Sequence, residues 1–192
     1  MPHLTDHLKA DFDSHYAKKV AFRPFARSDG FPFFEATRHP DFNRNLMWVA
    51  PETEKGIFQQ VDKLVREHML GRALILSICQ RHTGVWQGLL RIQDYLDGVE
   101  IGLYLHPDSW SRGVVVTAGS AFIELIFKNL PDTPMYIRLR PSNARLVRIC
   151  DVYKFEKVRE EKDIHPIEGE VDVHVYRLTK PLWPGYAGLV NF

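Results

Sequence analysis

Cysteine is scarce in this chain. Only Cys79 and Cys150 occur among 192 residues. They lie far apart in apolar surroundings, with no CxxC spacing and no Cys/His pattern. That argues against a disulfide framework and offers no thiolate set for zinc. Nine histidines are scattered, and none falls in HExxH or another paired spacing, so no metal is expected. Long apolar runs are missing as well. No stretch approaches the ~20 apolar residues needed to span a bilayer, so no membrane partner is expected. The first residues, Met1 to Phe12, mix polar and apolar side chains and lack the apolar core of a signal peptide, which makes a cytoplasmic location the expectation. An excess of one charge is also absent. Lys plus Arg number 25 and Asp plus Glu 24, a formal charge of +1, so nucleic acid is not an expected partner.

What is present suits one globular domain. Apolar residues make up 45% and charged residues 26% of the chain, and a chain of this length buries roughly 70% of its unfolded surface without covalent staples. No internal repeat, low-complexity tract or Pro/Gly/Ser linker interrupts it. The expected organisation is an N-terminal extension over 1–19, a domain over 20–183 and a short tail over 184–192.

Patterning along the domain alternates strand and helix signals. Val20 to Ala26 alternates as a strand, broken at Ser28-Asp29-Gly30. Phe31 to Pro40 reads as aromatic-rich and irregular, and Asp41 to Trp48 as a short helix. From about Glu52 to Leu70, Ile57, Val61, Leu64 and Val65 recur at helical spacing, and Gly71 follows as a stop. Leu74 to Cys79, Val85 to Gln93 and Val99 to Leu105 are apolar runs joined by tight turns, an antiparallel meander. Val114-Val115-Val116 favours a strand because β-branched side chains are stiff against a helical turn. Ala118, Phe122, Leu125 and Ile126 then take helical spacing until Pro131 and Pro134. Met135 to Arg140 is another strand, Arg145 to Val152 a short helix, and Tyr153 to Glu161 and Val171 to Leu178 two more strands. Strands interleaved with a few helices indicate a mixed α/β sheet.

Four segments occur in an informative order: FRPFARSD (Phe22 to Asp29), EIGLYLHPDSWSRGVVVTAGSAFIELIF (Glu100 to Phe127), IRLRPSNARLVRICDVYKFEKV (Ile137 to Val158) and VDVHVYRLTKPLW (Val171 to Trp183). Together they resemble the GNAT N-acetyltransferases, especially the ribosomal-protein N-terminal acetyltransferase group. The match runs ungapped from Asn143 to Phe155 and covers most of residues 20–183. The resemblance implies a largely antiparallel sheet of six or seven strands with about four helices. It also implies that the central strands Val99–Leu105 and Met135–Arg140 run parallel and splay at one end. An acyl-CoA, acetyl-CoA or another, would lay its pantetheine arm in that splay against backbone groups of Leu103, Tyr104 and Leu105. Its pyrophosphate would meet the turn Trp110-Ser111-Arg112-Gly113-Val114-Val115, where a helix N-terminus offers convergent N–H donors and a favourable dipole. Gly113 would let the backbone come close. Ser142 or Asn143 is expected to cap the following helix, and Asn143 is a candidate pantetheine ligand.

The sequence also departs from the family pattern. Val115 stands where Gly or Ala is usual. Leu146 occupies the position of a serine proposed as proton donor, and Cys150 that of a tyrosine that protonates the departing thiolate. Lys154 replaces the glycine before the last phenylalanine. The remaining base candidate is Glu100, at the start of the presenting strand, on a polar face with Gly102, Tyr104 and His106; the plainer reading pairs Glu100 with Arg91 or Arg138. Cys150 remains a candidate acid, its plainer reading a buried small hydrophobe. The segment Glu160 to Glu170 carries five acids against Lys162 and suggests an acidic rim for a cationic acceptor. The expected function is therefore acyl transfer from acyl-CoA to a primary amine, of a small molecule or of a peptide or protein N-terminus, by a monomer or homodimer. The alternative is a catalytically degenerate acyl-CoA-binding sensor of the same fold.

Overall fold

The structure is a computed structural model that describes residues 19–185. The expected N-terminal extension and most of the C-terminal tail lie outside the described residues. Seven strands form one sheet: β1 (Val20–Pro24), β2 (Leu74–Gln80), β3 (Trp86–Tyr95), β4 (Gly98–Leu105), β5 (Met135–Leu139), β6 (Glu156–His165) and β7 (Gly169–Leu178). Their spatial order is β1-β2-β3-β4-β5-β7-β6. Every neighbouring pair is antiparallel except β4 with β5, which run parallel. The mixed sheet with a parallel central pair is the architecture the sequence led us to expect. Among the described residues, no helix is long and apolar enough to cross a membrane.

Among the described residues, five α-helices cover the sheet: α1 (Gly30–Thr37), α2 (Pro40–Asn43), α3 (Glu54–Met69), α4 (Val114–Asn129) and α5 (Ala144–Val152). On one face α4 and α5 pack on Phe22, Leu76, Ile78, Leu90 and Ile92. On the other, α1 to α3 cover Phe25, Ile75, Cys79, Trp86 and Leu89. α3 starts where the sequence places a cap: Thr53 accepts a hydrogen bond from the Gly56 N–H at 3.1 Å. Its buried face carries Ile57, Val61 and Leu64.

Four local expectations are corrected. The segment Phe31 to Pro40 is not irregular, since most of it forms α1. Pro32 sits in the first turn, where its missing N–H has no intrahelical partner to lose, and Phe33 and Ala36 are buried at 2% and 0% exposure. Val114 to Val116 is the first turn of α4 and not a strand. The propensity cost is a few tenths of a kcal/mol per β-branched residue, and it is outweighed by a helix that buries nine side chains, Phe122 and Ile126 among them. The strand expected from Tyr153 begins at Glu156, because Lys154 turns the chain at φ 63°. Of the helix expected over Asp41 to Trp48, only the α2 turn forms.

Candidate active site

The parallel pair is joined by only two rungs, Val99 opposite Met135 and Glu100 opposite Tyr136. Beyond them the strands part. From Ile101 to Leu105 the β4 backbone stays paired with β3 on one side and has no β5 partner on the other. The separation opens a cavity of about 510 Å³ that runs from the α4/α5 face through the sheet to the α1–α2 side. Its apolar wall includes Ile101, Leu103, Ala118, Phe122, Ile137 and Leu139; its polar wall includes Glu100, Arg138, Asn45, Ser142 and Asn143.

Most of the sequence-selected residues converge here. Glu100, Leu103, Tyr104, Leu105, Trp110, Val115 and Asn143 line the cavity. Ser111, Arg112 and Gly113 form the exposed turn that ends in α4. In that turn Ser111 has φ 59° and Gly113 φ 72°, the left-handed conformation that glycine adopts without penalty. Gly113 is the N-cap of α4 and supplies no side-chain acceptor. The first N–H turned back on the helix is that of Thr117, bonded to the Gly113 carbonyl at 3.0 Å. The N–H groups ahead of it have no intrahelical partner, and space is open around Gly113, where an added Cβ would meet nothing within 4 Å. Val114 is buried in the core at 7% exposure. Asn143 caps α5, its Oδ1 accepting from the Leu146 N–H at 3.2 Å.

Cys150 is elsewhere. It is fully buried at 0% exposure, it is absent from the cavity wall, and burial pushes its thiol up to about 12. Tyr104 lines the cavity beside Trp48 and Phe42, and desolvation raises its hydroxyl above the ordinary tyrosine range. Glu100 pairs with neither arginine proposed for it. Its Oε2 accepts from Gln93 Nε2 at 2.8 Å, while Arg91 bonds Glu67 and Arg138 bonds Glu161 and Asp163.

The acidic rim expected over Glu160 to Glu170 is neutralised. That segment is not a free loop but mostly the β6–β7 hairpin, and its acids pair with basic side chains both along β6 and from other segments. Glu160 meets Lys157, Glu161 meets Arg138 and Arg159, Asp163 meets Arg138, Glu168 meets Arg140, and Glu170 meets Lys162. Several wall residues had no sequence signal of their own. Asn45 and Arg145 are brought in by the folding of α2 and α5 against the cleft. Ser142 Oγ lies 3.1 Å from Asn45 Oδ1, and Arg145 stacks on Trp110.

A family model described as the acetyltransferase (GNAT) domain matches residues 19–156. The chain belongs to the GNAT acetyltransferase family. Solved structures share the fold. A GNAT-family acetyltransferase from Bacillus anthracis superposes with a TM-score of 0.73 at 18% identity, over 86% of this chain and 98% of that one. A GCN5-related N-acetyltransferase from Brucella melitensis gives 0.77 at 16% identity, over 89% and 80%. The ribosomal L7/L12 α-N-protein acetyltransferase RimL, in complex with coenzyme A, gives 0.71 at 14% identity, over 85% and 95%. In this GNAT chain, the cavity opened by the split between β4 and β5 reaches Trp110 and Val115, on either side of the glycine turn that starts α4.

Proposed function

We propose that this protein is an acyl-CoA-dependent N-acyltransferase that moves an acetyl or other acyl group to a primary amine within a ternary complex. The observation that carries the reading is the parting of β4 from β5 immediately after the rung between Glu100 and Tyr136. That parting leaves a backbone edge along Ile101 to Leu105 with no strand partner, its Leu105 carbonyl held by the Trp110 indole, and an extended pantetheine arm can pair with such an edge as a strand would. The fit at the glycine turn is equally specific. Free N–H groups at the start of α4, beside a left-handed glycine with open space around it, suit a pyrophosphate, and Arg112 stands in the same turn. The co-substrate supplies the activated thioester carbonyl.

The chain's own groups then have distinct tasks. A backbone N–H on the free β4 edge stabilises the oxyanion. Glu100, on the acceptor face at the apex of the split, takes the proton of the attacking amine, directly or through one water. The amine nitrogen bonds the acyl carbon as the carbon–sulfur bond breaks, and the departing thiolate is protonated from solvent. No proton donor is assigned to α5, since Leu146 carries no labile proton and Cys150 is buried away from the cleft. Asn143 binds the pantetheine while capping α5. The acceptor is a small-molecule amine or a peptide or protein N-terminus, and the setting is the cytoplasm.

Titration calorimetry with acetyl-CoA, paired with a thiol-release assay over an amine panel, tests this reading. Binding with release is expected. Glu100→Gln is expected to lower turnover roughly 10²–10⁴-fold with CoA affinity nearly unchanged. Binding without release from any amine would favour the second reading, an acyl-CoA sensor, which draws on the lack of a proton donor on α5. No binding heat would remove both.

A further inference from the structure

The surroundings of Glu100 are organised in a way that ordinary ion pairing does not explain. Two arginines flank it on the same face of the sheet. Arg91 stands opposite Gly102 across β3 and β4, one diagonal step from Glu100 and within reach of a long side chain. Arg138 lies two residues beyond Tyr136, the residue that pairs with Glu100. Either could place a guanidinium on the carboxylate, and neither makes a hydrogen bond to it, although Arg138 is near enough for the Glu100 charge to help hold its proton. Arg91 Nη2 is bonded to Glu67 Oε2 on α3 at 3.1 Å. Arg138 is held twice from β6, its Nε by Glu161 at 2.7 Å and its Nη2 by Asp163 at 2.8 Å. Glu161 and Asp163 are two apart on one strand and so share a face. Arg159 also bonds Glu161, at 2.8 Å, so the two acids and two arginines balance without Glu100. These pairs are part-shielded, with side-chain exposures of 24% for Arg138 and 21% for Glu161. What remains for Glu100 is the neutral amide of Gln93, directly opposite on β3, at 2.8 Å.

We propose that these neighbours are positioning residues that keep Glu100 free of a direct guanidinium bond: Gln93 orients it from a neutral amide, while Glu67, and Glu161 with Asp163, hold back the two arginines that would otherwise bond to it. This rests on the reading of Glu100 as the base. A guanidinium against a carboxylate stabilises its charged form and weakens it as a proton acceptor, whereas an amide fixes direction without adding a charge. The other groups on this face do not compete. The Tyr104 hydroxyl stays neutral through desolvation. The Tyr136 hydroxyl donates to Asp97 at 2.5 Å. Tyr95 accepts from Arg159 at 2.6 Å and lies beneath the Arg138 guanidinium. Arg177 stands on β7 behind Tyr136.

The test is the pH profile of kcat/KM for acyl transfer, with folding checked by thermal melts. In Glu161→Gln/Asp163→Asn, Arg138 is released towards Glu100. The acid limb should move to lower pH and the plateau should fall roughly three- to tenfold. Glu67→Gln should shift the limb in the same direction through Arg91. Gln93→Leu removes a bond to the charged form and should move the limb to higher pH. Adding Arg138→Met to the double variant should restore the plateau, because the released arginine is the agent of the loss. A merely structural network predicts further damage from that third change. Unshifted limbs, shifts of one sign in all variants, or no rescue by Arg138→Met would overturn the proposal. Full turnover in Glu100→Gln would instead refute the base assignment. In that case, or if no amine is acylated, the side-chain carboxyl ¹³C resonance of Glu100 reports the same variants, and its pH midpoint must move in the same opposed directions for the positioning to stand.

Discussion

The guanidinium of Arg145 lies 4.4 Å over the ring of Trp110, which joins α5 to the turn between β4 and α4 across the mouth of the cleft. The same indole donates from Nε1 to the Leu105 carbonyl at 3.2 Å, and His39 meets its ring edge-on with centroids 5.1 Å apart. Trp110 therefore senses both banks of the cleft. Removing the arginine uncovers one face of the ring at a cost of about 0.5–1 kcal/mol, the range for an exposed cation–π contact. Acrylamide quenching of tryptophan fluorescence should rise in Arg145→Ala and should not rise when the same change is made in Trp110→Phe. Equal quenching with and without Arg145 would show that the stack does not persist in solution.

Gly113 offers a change whose effects on stability and on binding separate. Its φ of 72° is costly for any residue with a Cβ, yet a Cβ there would touch nothing. Gly113→Ala should therefore cost only about 1 kcal/mol of stability, from backbone strain alone. The new methyl would project into the space assigned to the pyrophosphate, so CoA affinity should fall by more than that strain accounts for. Denaturant melts and calorimetry on the same variant give the two numbers. Affinity loss no greater than the stability loss would place the phosphates elsewhere.

How far the sequence was legible depended on whether local or tertiary forces decided each segment. Glu52 to Leu70 was read nearly to its ends because the apolar spacing and the Thr53 cap agree with the packing. The β2–β4 meander was legible for the same reason. Gly30 to Thr37 was missed because its helix is a product of docking: aromatic residues are weak helix formers, and only burial of Phe33 and Ala36 selects the conformation. At Val114 to Val116 local stiffness pointed to a strand, and the buried face of the rest of α4 overrode it. In the site, Glu100 and the Trp110–Gly113 turn were visible as polar or glycine features on an apolar background. The partner of Glu100 was not. Gln93, Arg91 and Arg138 are all plausible by pattern, and the choice among them depends on Glu67, Glu161 and Asp163, which come from α3 and β6.

Cys150 tests the separation of core from chemistry. Its thiol is fully buried and pushed up to about 12 from a reference of 9.0, first by desolvation and then by Asp151. A thiol-specific disulfide reagent at pH 8 should leave it unmodified in the native state and modify it on unfolding. The raised value also has a sign for stability. The neutral thiol favours the folded state fully below the unfolded value, and the contribution is lost as pH rises from about 9 towards about 12. Cys150→Ala should cost about 1–2 kcal/mol from lost burial and a small cavity, with turnover unchanged. Loss of turnover without loss of stability would return the residue to the mechanism.

Asp29 carries the acid side of the stability profile. It is 2% exposed and sits where the turn before α1 meets β1 and β2. Burial alone would raise its pKa. Hydrogen bonds from Arg23, from the Ser77 hydroxyl at 2.7 Å and from the Ala26 N–H at 3.0 Å outweigh that and hold the carboxyl below the usual range. A depressed folded value means stability that is present above the unfolded value near 3.8 and is lost as pH falls through the folded one. Asp29→Ala removes the only acceptor that the Ser77 hydroxyl is seen to use, and Ser77 is 0% exposed. It also leaves the Ala26 N–H without its partner. Arg23, whose side chain is 41% exposed, can return to water and adds little to the penalty. The net cost at pH 7 should be about 2–3 kcal/mol. The decisive comparison is the pH dependence. Wild type should lose stability relative to Asp29→Ala as pH is lowered below about 4, so that the two denaturation midpoints converge in acid. A gap that stays constant down to pH 2 would mean that packing, and not the charge of Asp29, fixes this corner.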